Sequence, residues 1–191
     1  MLPAIAPGTA PQAALHPAPP PATADSQATA LLRFNRRLLD QALALVAAHE
    51  RPGAASFEAV IGPHLRHVIE HYEALVMPPA GVVVDYDKRP RDRSVERLPQ
   101  VARTRLQALQ ARLAGWPDAM LQKPTRVRTQ GGLAGELEFV TPSTIGRELV
   151  FLASHAVHHF ALLKTHCAAH GIATDAHFGQ APSTVAHQLQ G

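Results

Sequence analysis

Apolar residues along this chain recur mostly at helical spacing. From about Ser26 to Glu50 they fall in pairs seven apart, Leu31/Leu32, Leu38/Leu39 and Leu45/Val46, with Ala42 between, which predicts a helix with one buried stripe. Arg51-Pro52-Gly53 ends it. A second helix is expected from Val60 to Val76, with Ile61, Leu65, Val68, Ile69, Tyr72 and Leu75 on one face and Pro63 tolerable in the first turn. Gly81 to Arg97 is dominated by Asp85-Tyr86-Asp87-Lys88-Arg89-Pro90-Arg91-Asp92-Arg93 and reads as a connecting loop. Ala102, Leu106, Leu109 and Leu113 define a third helix from near Pro99 to Ala114. Between Lys123 and Val140 the alternation switches to period two around Gly131-Gly132, predicting a small β-hairpin. A fourth and longest helix should start near Thr141-Pro142-Ser143, where a hydroxyl cap and a first-turn proline are favoured, and stop before Gly171. Four amphipathic helices with one hairpin imply an all-α fold, a four-helix bundle with the hairpin between helices 3 and 4.

At 191 residues the chain has the length of one domain. Seven prolines among the first 21 residues, with many alanines, mark residues 1–27 as a disordered tail without the layout of a signal peptide. The bundle is then assigned to residues 28–175, followed by a C-terminal tail over 176–191. A formal charge of +3 is too small to suggest a nucleic-acid partner. No apolar stretch approaches the roughly 20 residues of a membrane span, so no membrane partner is expected. Cys167, the single cysteine, excludes an intramolecular disulfide and suits a cytoplasmic setting; it lies on an apolar helix face, as a packed residue would.

Histidine is the outlier, at 12 residues. At about 100° per residue, His64, His67 and His71 line one edge of the core stripe of the second helix. On the fourth helix Glu148, His155, His159 and His166 form a stripe with the same offset from the apolar face. Residues four apart stack on one helix face, so His67 with His71 and His155 with His159 each have the spacing at which two imidazoles share an ion. A single such pair is weak, because helical histidines are more often capped, exposed or hydrogen-bonded; two matching pairs on two helices are a stronger signal. His158 falls on the solvent side, and His166 and His170 suit the helix C-terminus.

The run Val60-Ile61-Gly62-Pro63-His64-Leu65-Arg66-His67-Val68-Ile69-Glu70-His71-Tyr72 resembles the second-helix motif of DinB-like proteins. Ser154-His155-Ala156-Val157-His158-His159-Phe160 resembles their fourth-helix His-x-x-x-His motif. The resemblance spans about residues 30–169. It implies one divalent metal ion (zinc, nickel, manganese or iron(II)) on His67, His155 and His159, with His64 and His71 as fallback ligands or supporting partners. Phe160-Ala161-Leu162 departs from the arginine-glycine-glutamine that often follows the paired histidines in that family. The reading implied is a metal-dependent enzyme with a small-molecule substrate, a thiol among the options. Thiol transfer or hydrolysis would be its chemistry, and Glu148, Asp87 or His71 the candidate catalytic groups. The alternative is a non-catalytic metal-binding or stress-related bundle, with a homodimer left open, and a histidine-rich bundle without metal is the third reading.

Overall fold

A computed structural model describes residues 24–78 and 83–190, with side chains described from residue 27. The tail expected over 1–27 therefore lies almost wholly outside the described residues. Four long helices carry the core: α1 (Ala24–His49), α2 (Ile61–Val76), α4 (Pro99–Ala114) and α5 (Ile145–Ala169). Helices α1 and α2 each pack against both α4 and α5. The stripes read from periodicity meet between them: Leu39, Val46, Ile61, Leu65, Ile69, Leu106, Leu109, Leu149, Leu152 and Phe160 are all buried. One polar pair crosses this core, where Tyr72 Oη donates to Asn35 Oδ1 at 2.8 Å and Asn35 Nδ2 donates to the Leu31 carbonyl at 2.9 Å. Each buried polar group there has a partner, which removes most of the cost of placing it between helices.

The all-α class expected from the sequence does not hold. A three-stranded mixed sheet is part of the fold, in the order β1 (Val84–Asp85), β2 (Pro124–Gly131), β3 (Leu137–Thr144). β2 and β3 form the anticipated hairpin, longer than foreseen, with Val127 opposite Thr141 and Gly131 opposite Leu137. β1 adds to β2 in parallel, Val84 opposite Val127. The stretch taken for a plain loop thus holds a strand, and it also holds a short helix, α3 (Arg93–Arg97), capped by Asp92, whose carboxylate accepts from the Ser94 amide. Thr141-Pro142-Ser143 is not the first turn of the last helix. Pro142 pairs with Arg126 in the sheet, and the cap of α5 is Thr144, whose hydroxyl accepts from the Arg147 amide. Beyond α5, Phe178 is buried and stacks on Phe160 with ring centroids 5.0 Å apart, and a short α6 (Pro182–Gln188) follows. Among the described residues no helix is long and apolar enough to cross a membrane.

Two features bring α2 and the 83–98 segment together. Gly62 lies so close to α3 that a Cβ there would sit 1.9 Å from the Glu96 carbonyl oxygen, so only glycine permits this approach. Glu70, buried on α2, accepts from the Asp92 amide at 2.8 Å, fixing the segment across one face of the helix.

Candidate metal centre

The facing stripes of α2 and α5 bring imidazoles into one cluster. His67, His155 and His159 each offer a ring nitrogen, and these atoms all lie within 4.8 Å of one another. Ring centroids are 4.6 Å apart for His67 and His159, 5.0 Å for His67 and His155, and 4.7 Å for His155 and His159. His71 joins the edge, 4.4 Å from His155 and 4.2 Å from His67 by centroid. Its Nδ1 lies 2.7 Å from the His67 carbonyl, to which it donates, so its orientation is fixed by its own helix. His64 meets the cluster from the other side, Nδ1 to Nδ1 of His159 at 2.9 Å. His158 is exposed, as its place on the wheel implied.

Burial shapes the electrostatics. Desolvation, reinforced by His71, Arg89 and the α5 histidines, lowers His67 to about 3. His71, His155 and His159 are each lowered to about 4, in every case mainly by burial; for His71 the bond to the His67 carbonyl works in the opposite direction. His64 is lowered by burial and by His158. At neutral pH the cluster is uncharged and its lone pairs are available, the protonation state that coordination needs. His155 Nε2 is buried without a hydrogen-bond partner, as are His49 Nε2 and His166 Nε2 outside the cluster, and it is the one of the three whose ring packs against imidazoles of a second helix. An orphaned acceptor or donor of this kind is costly in an ordinary core. A coordinating imidazole has a use for it, so the donor set and the orphaned nitrogen both fit a divalent cation.

The flanking polar residues divide into two networks. Glu148, fully buried at the start of α5, accepts from Tyr86 Oη at 2.9 Å, Ser143 Oγ at 2.5 Å and an Arg147 guanidinium nitrogen at 2.9 Å. Tyr86 stacks on His71, centroids 5.6 Å apart, and its phenol is raised by burial and by Glu148. Phe151 closes this wall, 5.7 Å from His155. Glu148 thus touches the cluster only through Tyr86, and its oxygens are committed to other donors. Asp87 Oδ2 accepts from the Gln130 amide at 2.8 Å, tying the segment to β2, while its charge acts on His71 from a distance, raising that imidazole against the effect of burial. The second network is Arg89, whose Nη1 lies 3.2 Å from His67 Nδ1 and 3.5 Å from Glu70 Oε2, with Nε on the Tyr86 carbonyl. Of the candidate catalytic groups, then, only His71 reaches the rings, while Tyr86, Arg89 and Glu70 are contacts that the helical stripes did not reveal. A glutamate set in the apolar run Val68-Ile69-Glu70-His71-Tyr72 was the available sequence signal for a cation nearby.

No family model matches this chain, and no solved structure matches it. Among curated proteins it is similar to FK506-binding protein 5 of Rhizopus delemar, 31% identical over 118 residues that make up 61% of this chain and 31% of that protein. The match therefore spans about a third of the length of the curated relative. This finding overturns the DinB-like resemblance, since the relative carries the name of a different kind of protein. The metal-dependent S-transferase or hydrolase, and the non-catalytic metal-binding or stress-related bundle set beside it, were implied as functions through that resemblance and fall with it. The positions of the histidines rest on the coordinates and do not depend on the family.

Proposed function

We propose that this chain binds one divalent metal ion on His67, His155 and His159. The observation that carries the reading is the convergence of ring nitrogens from two separate helices within 4.8 Å of one another. Three imidazoles of this kind suit zinc, nickel, manganese or iron(II), and leave a position for water or a small molecule such as a thiol. Only these ligands and their ion are proposed, in the cytoplasm, where a lone buried cysteine is at home; no reaction is assigned to the ion. Metal content of the purified chain beside a His155→Ala/His159→Ala variant tests it. One equivalent in the parent and none in the variant is expected, and equal content in both removes the site.

A second reading comes from the relative's name, which denotes binding of FK506. It rests on the 31% identity. A groove of about 940 Å³ between α1, α5 and the C-terminal segment, lined in part by Phe34, Leu38, Leu45, Val157 and Phe178, offers apolar wall for such a ligand. Calorimetric titration with FK506 tests this; no heat at micromolar protein sets the reading aside.

A further inference from the structure

We infer that the guanidinium of Arg89 and a metal ion compete for His67, so that loading the centre removes one of the contacts that hold the 84–92 segment on α2. The inference rests on the proposed metal centre and concerns a residue outside its ligands. Arg89 reaches His67 Nδ1 with Nη1 at 3.2 Å while its Nε holds the Tyr86 carbonyl. It is half-buried and faces Glu70, which also accepts from the Asp92 amide. One guanidinium therefore links a strand-proximal backbone carbonyl, a buried carboxylate and one imidazole of the cluster.

Donor and acceptor accounting makes the two occupants incompatible. A guanidinium can only donate, so His67 Nδ1 must accept from it, and the single proton of a neutral ring then sits on Nε2. A coordinating neutral imidazole gives one nitrogen to the metal and carries its proton on the other. If Nε2 coordinates, a protonated Nδ1 faces an N–H of Arg89 and two donors oppose each other. If Nδ1 coordinates, the ion stands about 2.0–2.1 Å along the lone pair that the guanidinium uses. In either case the contact between Arg89 and His67 breaks. Glu70 keeps the freed guanidinium neutralised and still accepts from the Asp92 amide, and Arg66 still reaches the Arg91 carbonyl, so the segment stays on α2 with one anchor fewer.

Cobalt(II) titration followed by visible absorption, run on the full chain and on Arg89→Met and Arg89→Lys, tests this, together with hydrogen exchange of residues 84–92. Arg89→Met should bind cobalt about tenfold more tightly or better, the worth of one hydrogen bond to a charged group, with Arg89→Lys in between. In the unaltered chain, amide exchange over 84–92 should rise on adding cobalt. Equal or weaker affinity in Arg89→Met, or exchange that cobalt leaves unchanged or slows, overturns the competition while leaving the metal centre standing. Failure of both the unaltered chain and Arg89→Met to bind cobalt removes the centre itself. Should Arg89→Met not fold, Arg89→Lys and the exchange measurement on the unaltered chain decide the matter.

Discussion

Replacing Gly62 by alanine perturbs the site without touching any histidine. The added Cβ would stand 1.9 Å from the Glu96 carbonyl oxygen, 2.7 Å from its carbon and 2.9 Å from the Glu96 Cα. Relief to an ordinary contact of 3.4 Å requires α2 and α3 to separate by about 1.5 Å, and the obstacle is backbone that cannot swing aside. Overpacking of this kind costs about 1–3 kcal/mol, and this overlap belongs at the upper end. Alanine regains at most about 1 kcal/mol through its better helix propensity, a figure for helix interiors, and Gly62 lies in the first turn. The net expectation is a loss of about 2 kcal/mol, which lowers the melting midpoint by about 5 °C in a chain of this size. Because Gly62 opens the helix that carries His67, metal affinity should fall as well. Thermal melts in the presence of a chelator, with metal competition alongside, measure both. A midpoint equal to or above that of the unaltered chain would refute the reasoning, since propensity alone would then decide the outcome.

Other perturbations probe the walls of the cluster. Tyr86→Phe removes the phenol that donates to the buried Glu148 carboxylate at 2.9 Å and should cost about 1.5–3 kcal/mol by urea unfolding; an unchanged midpoint would show that the bond contributes nothing. His64→Ala deletes the ring 2.9 Å from His159 Nδ1 and should weaken metal binding about 10–100-fold, as loss of a supporting partner does; unaltered affinity would separate His64 from the centre. The histidines lowered to about 3 or 4 stay neutral in the fold, whereas the unfolded chain takes up protons near pH 6.5. Their contribution to stability is therefore complete above about pH 6.5 and declines as pH falls towards 4. Melting midpoints in chelator should drop between pH 7 and 5, and a flat profile over that range would contradict the assigned burial.

What could be read from the sequence followed from repetition along a helix. Leu31, Leu38 and Leu45 recur every seven residues, and α1 runs from Ala24 to His49 close to the span that they define. Elements too short to repeat left no such trace: β1 has two residues and α3 has five, both hidden in a run of charges. Thr141-Pro142-Ser143 carries the chemistry of a helix start, but pairing with β2 outweighed that local preference and moved the cap to Thr144. The histidine stripes were legible because i and i+4 share a face. The wheel could not choose among His64, His67 and His71, since that depends on how α2 faces α5. Arg89 was legible as part of a charged loop, either solvated or folded over the cleft, and nothing in the sequence chose between the two. Its place beside His67, 22 residues away in sequence, is set by Asp92, Glu70 and the close approach at Gly62. The family resemblance misled because helical motifs around paired histidines fix a local pattern and not an ancestry.

The central claim is that His67, His155 and His159 share one cation. Anomalous diffraction from crystals soaked in zinc, recorded on both sides of the zinc edge, tests it most directly. One peak is expected about 2.0–2.1 Å from a ring nitrogen of each of the three residues. Absence of a peak there, or a peak held by other side chains, would contradict the claim.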